Sequence, residues 1–499
     1  MHFALGIRRT FWLFGVLTPA LVFSCVGDDS GTPDGSTGAD AADGTTGTDA
    51  SGDGSSGDSA TCVPGCVGDA STLRSCNGGA TVDTPCPVGC LSAATPHCGV
   101  FNPTGLVEPG DFSPIGIKDF DPFPADAGNG AIITGGPSYL FYTDTGQIED
   151  LSNGSDQGTI RPANSNPSVM QVDGPTGIGF RLGTYDGGAN SLGIFVFKNL
   201  YFRGGEFHFT GSSPVAFVAQ QDILVSGVIN VVDTGNGGAG LSCGSAAGGA
   251  WGGAYDTSAT GLGGGEGGVQ GSNSGSGGGG GGSGAAGSVG GNNEPGMGVG
   301  ELHGGAGGAP FSGGFDPLLG GGGGGGGGGL YNGSGGTGGG AIALFANGTI
   351  TISQGVGKVS GVNAGGCGAA GNGTFIQNGG GGAGGAILVQ APRVVGLGDA
   401  GLAANGGSGG CNSALGGARG AVSLTPAPGT PGSGNCGAGG NGGAGTTAAT
   451  AGQTPSSLGY GGGGGGAVGR IQISTYAPLV EDGGFVVSPP PSLIPLPVE

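Results

Sequence analysis

AIALFA at 341–346, GTITIS at 348–353 and VSGVNAGGC at 359–367 are followed by AILVQA at 386–391, PRVVGLG at 392–398 and GLAANGGSGGC at 401–411. The two blocks share one order: three short apolar segments, then a glycine run closed by a cysteine. Ile342 and Leu344 alternate with Ala343 and Phe345, and Ile350 and Ile352 alternate with Thr349, Thr351 and Ser353. Ile387 and Val389 keep the same spacing, as do Ile471 and Ile473 in RIQIST. A period of two over four to six residues is the mark of a strand. Strands this short bury little alone, so the repeat predicts stacking, with Ile342, Ile387 and Ile471 in one internal ladder.

An earlier copy begins at Val215 with PVAFVAQ, DILVSG, VINVVD and TGNGGAGLSC. The closing cysteines fall at Cys243, Cys367 and Cys411, and only the glycine insert between copies changes length. The expected fold is therefore all-β: a parallel β-helix or solenoid over 131–477 with long Gly-rich loop insertions, preceded by a small disulfide-rich module. Unrelated strand clusters in a β-sandwich would not repeat this order. The inserts are 235–340, 365–385, 405–417 and 428–466, and the first holds ten consecutive glycines at 320–329. Glycine loses the most chain entropy on ordering, yet without a Cβ its segments can approach closely as polyproline II. Composition alone leaves mobile and packed inserts both open.

Glycine supplies 135 of 499 residues, charged residues only 9 %, and the net charge is −21. No G-X-Y period runs through the glycine, which excludes collagen. An acidic chain with no basic patch is not built to bind nucleic acid. The scattered GxGxxG matches lack the strand-to-helix context of a dinucleotide site, and no regular calcium-binding nonapeptide is present. No cofactor is implied.

At the N-terminus Arg8 and Arg9 precede the apolar run FWLFGVLTPALVF and then Ser24-Cys25. This is the layout of an export signal, too short for a comfortable membrane span. VFSC resembles a lipobox despite the bulk of Phe23, which makes Cys25 the expected lipidation site; RRTF also resembles part of a twin-arginine motif. Signal and lipobox occupy 1–25. Residues 26–60 are Asp, Gly, Ser, Thr and Ala with almost nothing apolar, and read as a disordered tether.

Cys62, Cys66, Cys76, Cys86, Cys90 and Cys98 crowd into the module at 61–99. In an exported chain an even set this dense implies disulfides rather than zinc with His97 as an extra ligand. Six cysteines allow 15 pairings, and spacing does not choose among them. Cys243, Cys367, Cys411 and Cys436 are again even in number and are expected to pair across the inserts. Residues 100–130 read as a Pro-rich linker or cap, and 478–499 as an edge cover or extended Pro-rich tail, whose proline run is not expected to continue a sheet. The pieces SYLFYTDTG, GIGFRLG, LGIFVFKNLYF and GEFHFTG read as first, less regular coils whose phenylalanines form core.

No catalytic or metal site is expected. His97, His208 and His303 lie in different regions, with no nucleophile–base–orienter motif around them. The acids that a polysaccharide-cleaving β-helix would use are Asp111, Asp119, Asp121 and Asp126, or Asp144, Glu149 and Asp150. All sit among Pro and Gly, where turn and cap roles are the default.

Lipobox, Asp/Gly/Ser tether, paired C-x3-C module and glycine-rich blocks such as SSPVAFVAQQDILVSGVINVVDTGNGGAG together resemble the large glycine-rich surface lipoproteins of myxobacterial type. The resemblance covers nearly the whole chain. It implies a β-solenoid on the outer membrane or cell surface of a Gram-negative bacterium, held by a lipid, and carries no catalytic residues over. The expected function is a non-catalytic structural or adhesive role, with membrane, surface polysaccharide or matrix as partners. The alternative is a polysaccharide-binding or polysaccharide-cleaving β-helix, which an exposed strip of aromatics and carboxylates would favour.

Overall fold

The computed structural model describes residues 62–496, leaving out 68–71, 78–79, 87–88, 93–94, 100–102, 104–105, 122–137, 152–157, 186–189, 233–246, 272–273, 294–300, 330–332, 356–358, 371–377, 412–415 and 458. The expected signal, Cys25, the 26–60 tether, Cys243 and Asp126 lie outside the described residues. What is described is all-β. Its one helical element is a short 3-10 turn at Pro109–Phe112, and among the described residues no helix is long and apolar enough to cross a membrane.

The strands, numbered in chain order from β1 (Gly65–Val67) to β24 (Ser492–Pro495), form two large sheets and two small ones. In the eight-stranded sheet, β13 (Val215–Ala219), β15 (Ala341–Ala346), β18 (Ala386–Ala391), β21 (Arg470–Thr475) and β24 pair in parallel. Val215 lies beside Ile342, Ile342 beside Ile387, and Ile387 beside Ile471, so the predicted ladder forms. In the eleven-stranded sheet, β14 (Ile223–Asn230), β16 (Thr349–Ser353) and β19 (Arg393–Leu397) pair in parallel, setting Ile223, Ile350 and Val394 in one row. The third segments follow: β17 (Ser360–Asn363) and β20 (Ala400–Ala403) extend that sheet, with Ile229, Val362 and Leu402 aligned.

Alternation decides what lies inside. Ile342, Leu344, Ile387, Val389, Ile350 and Ile352 meet in one buried cluster. The other face of β15 and β18 is buried as well: Ala343, Phe345 and Leu388 pack with Leu106, Val107, Leu318 and Leu496. A strand covered on both faces reads as continuously apolar, which is why AIALFA and AILVQA carry so few polar residues.

Three expectations need correction. The pieces before residue 198 are not all parallel coils. β10 (Gly179–Tyr185) and β11 (Asn190–Phe197) form an antiparallel hairpin with β9 (Gln171–Val172) at its edge. β6 (Ser138–Tyr142), β7 (Ile148–Asp150) and β8 (Thr159–Arg161) form an antiparallel meander. Both large sheets are therefore mixed: tight turns between short strands return the chain antiparallel, whereas a parallel neighbour needs a long crossover. Secondly, the linker is partly core, since Phe120 bridges Leu200 and Leu106 and Val107 are buried. Thirdly, the proline-rich tail does continue the sheets. β22 (Val480–Asp482) joins β19, β23 (Val486–Ser488) joins β20, and β24 joins β21. Proline is tolerated there because a terminal strand needs N–H donors on one side only.

The glycine inserts are not loops spilling from the sheets. Gly277 and Gly280 donate to the carbonyls of Gly291 and Ser288; Gly278 and Gly281 to Asn378 and Gly381; Gly279 and Gly282 to Glu266 and Gly263. Donation thus rotates through three neighbours and repeats every third residue, the period of a polyproline II helix. The carbonyls of the same segment accept in the same rotation: Gly277 and Gly280 from Gly305 and Gly308, Gly278 and Gly281 from Gly464 and Ala467, Gly279 and Gly282 from Gly325 and Gly322. One glycine segment is thereby surrounded by six others. Residues 274–283, 321–329, 378–385, 404–411 and 461–467 are buried throughout, with scarcely a side chain among them. At Gly280 an added Cβ would come closer than 3.0 Å to the backbone of Gly465, and at Gly279 to that of Ala306. Buried asparagines close the edges: the Asn378 amide donates to the carbonyls of Ser276 and Gly328.

The phenylalanines expected as core are core. Phe195, Phe197, Phe202, Phe207 and Phe209 are all fully buried, whereas Tyr201 is only partly so. Tyr139, buried at 4 % exposure and stacked on Phe207 at 5.4 Å, has its hydroxyl pKa raised from 10.0 to about 12, first by burial and then by the Asp150 carboxylate. An unfolded tyrosine ionises near 10, so above that pH the unfolded chain releases a proton that the folded chain keeps. This contribution to stability is whole below pH 10 and is lost as pH rises through about 12. Urea unfolding compared on the two sides of that window should show the fall, and Tyr139→Phe should flatten it. An equally steep fall in the variant would assign the alkaline sensitivity to another group.

Candidate functional site

The described acid groups named from the sequence are engaged in hydrogen bonds and ion pairs. Asp111 accepts two hydrogen bonds from the Arg181 guanidinium, at 2.6 Å each, and one from the backbone N–H of Glu108. That pair is nearly dry and pins the 3-10 turn to β10. Asp119 accepts from the Asn199 amide, and Asp121 pairs with Arg203 at 3.1 Å, whose guanidinium lies over the Tyr201 ring. Glu149 accepts from the Tyr142 hydroxyl and the Gln147 amide. Asp150 faces Tyr139 across the β6–β7 pair. Asp111 takes the cap role that the sequence context predicts, whereas Glu149 and Asp150 lie within β7. Among the described residues no three His, Cys, Asp or Glu groups converge as metal ligands do.

The histidines stay apart. His208 lies 3.5 Å from Glu206 on the same strand, β12 (Leu200–Thr210). The His97 ring contacts the Thr95 carbonyl, and His303 is exposed on the glycine lattice. In the cysteine module the pairs are Cys62–Cys76, Cys66–Cys90 and Cys86–Cys98. Cys411 is bonded to Cys436, and Cys367 is also in a disulfide. The 411–436 bridge joins two glycine segments, so it staples the lattice rather than tethering loops.

Two arginines, Arg161 buried and Arg470 partly so, are structural. Arg161 donates to the carbonyls of Gly146, Pro162, Ile178 and Gln171 and lies over the Phe180 ring. Burial lowers its pKa, while the Asp173 carboxylate acts the other way. Arg470 is held between the rings of Phe311 and Phe315, at 4.9 and 5.1 Å, and donates to the carbonyls of Gly313 and Gly314.

A concavity with binding chemistry lies where β12 ends against the lattice. It is a cleft of about 560 Å³ lined by Trp251, Leu262, Thr260, Thr210, Ser212 and Asp144, with six glycines and Ala250 and Leu319 making up the rest. Trp251 is 54 % exposed and Leu262 62 %. The backbone on either side of Trp251 is tied down: Ala250 donates to Gly321, Gly253 to Gly324, and the Trp251 carbonyl accepts from the Thr260 N–H and hydroxyl. Asp144 accepts from the backbone N–H groups of Ser212 and Ser213, at 2.8 and 2.9 Å, and from the Ser212 hydroxyl. A carboxylate has about four acceptor positions, so it is fixed in orientation with capacity left over. Sequence reading missed Trp251 because it searched the first insert for charged groups. The available signal was GGAWGGAY, the one tryptophan outside the N-terminal apolar run.

The chain matches no family profile, no curated protein and no solved structure.

Proposed function

We propose that this is a lipid-anchored surface protein of a Gram-negative bacterium with a structural or adhesive role, whose body is a parallel β-solenoid sharing its core with a polyproline II glycine lattice. The observation that carries this reading is the use to which the chain puts its buried groups. In-register rungs, interlocked glycines and hydrogen-bonded acids all serve to hold the body together. Stacked repeats offer extended surface, which suits display and contact with matrix or neighbouring cells. The resemblance to glycine-rich surface lipoproteins supports the same assignment, and the lipobox at Cys25 supplies the anchor. A single acyl chain binds membranes marginally, so stable attachment calls for the multiply acylated N-terminus that lipobox processing produces.

The test is Cys25→Ser in a bacterium that processes lipoproteins. The wild-type chain is expected in the detergent-soluble membrane fraction and to take up labelled fatty acid. The variant is expected to lose the label and to appear soluble after export. A variant that stays membrane-bound without label would overturn the lipid anchor.

A further inference from the structure

We infer that the Trp251 cleft is a binding site for a neutral saccharide. A pyranose ring has an apolar face of C–H groups and an equator of hydroxyls. It needs an aromatic plane on one side and fixed hydrogen-bonding groups around it. The cleft provides both. The half-exposed indole of Trp251, with Leu262 beside it, forms an amphipathic platform. Thr210, Thr260 and Ser212 bring hydroxyls, and Asp144 brings a carboxylate clamped by three donors with acceptor capacity left. At about 560 Å³ the cleft lies within the range of small-ligand sites and suits a mono- or disaccharide end rather than a chain passing through.

Preorganisation favours the assignment. Lattice hydrogen bonds at Ala250 and Gly253 fix the backbone bearing Trp251, so little ordering cost remains for binding. Gly261, with φ +79°, turns the wall between Thr260 and Leu262, and a Cβ there would meet Ala250. The glycines bring a ligand close to backbone N–H and C=O groups that side chains would otherwise screen. Charge selects against acidic sugars. None of the described lining residues is Lys or Arg, the rim carries Asp144, and the chain has a net charge of −21. The inference is independent of the lipid anchor, since Cys25→Ser leaves the cleft untouched.

The experiment uses the exported, processed chain, in which removal of the residues before Cys25 takes Trp12 away and leaves Trp251 as its only tryptophan. Its emission is titrated with neutral disaccharides (the β-1,4 dimers of glucose and N-acetylglucosamine, and maltose) and with an acidic one, digalacturonate. At least one neutral sugar is expected to shift the emission saturably in the millimolar range, with digalacturonate clearly weaker. Calorimetry then compares variants with that sugar. Trp251→Ala is expected to weaken binding about tenfold or more, and Trp251→Phe to retain most of it. Both variants should melt like the parent, because the side chain is largely in solvent. No saturable shift with any neutral disaccharide, tighter binding of digalacturonate, or undiminished binding by Trp251→Ala would each overturn the proposal.

Discussion

Gly280→Ala is expected to destabilise the folded protein by about 3 kcal/mol, at the upper end for overpacking, although it adds a single methyl group. Gly280 sits in the glycine segment surrounded by six others, and its missing Cβ faces the Gly465 carbonyl at a separation no real Cβ adopts. The obstacle is backbone, so no side chain can rotate away to make room. The neighbouring segments are held by their own hydrogen bonds and cannot retreat singly. Gly313→Ala is the control. A Cβ there meets nothing within 4 Å. With less freedom in the unfolded chain, it should be neutral or stabilising by about 0.4–1 kcal/mol. Thermal and urea unfolding followed by circular dichroism would measure both. If the two variants unfold alike, the inserts are not close-packed as described.

The energetic logic explains why this effect is large. Ordering a residue costs about 1–2 kcal/mol of backbone entropy, and glycine lies at the high end. Each lattice glycine gains a net backbone hydrogen bond, about 1 kcal/mol, and close Cα–H···O contacts of about 0.5–1 kcal/mol. The balance per residue is near zero, so the lattice holds only while every contact is made, and one methyl group removes several at once.

Phe217→Ala should cost about 3–5 kcal/mol, the usual range for deleting a buried ring. Phe217 is fully buried, with ring contacts to Phe141, Phe195, Phe197, Phe202 and Phe209 at 5.2–6.0 Å between centroids. It lies in β13, where the antiparallel end of the sheet meets the parallel rows. The cavity would therefore open at the junction of two arrangements that share these rings. Phe217→Leu should cost distinctly less, since it keeps most of the volume. Equal losses below about 1 kcal/mol for both, measured by urea unfolding, would show that the cluster is not tightly packed.

Much of the candidate-site question was answerable from local context. The acids from Asp111 to Asp150 sit among Pro and Gly, and those described include a cap, an ion-pair partner and acceptors of side-chain hydrogen bonds. Their partners were not readable, because Arg181 lies 70 residues from Asp111 and Asn199 lies 80 from Asp119. The cleft was less legible still. Its wall comes from five stretches of chain, and only packing shows that Asp144 and Ser212 share a rim with Trp251.

By itself the sequence determined the strands of the repeat, their inward faces and the row of Ile342, Ile387 and Ile471, because side-chain alternation is a local code that each short segment carries in full. It also determined that the cysteines would pair, though not with which partners. Only the tertiary structure decided the fate of the glycine. A residue without a side chain writes no pattern, and its conformation is set by carbonyls that belong to other segments. The same holds for the antiparallel strands that begin the sheets and the proline-bearing strands that end them: an edge is defined by the neighbour it lacks, and a sequence does not record its neighbours in space.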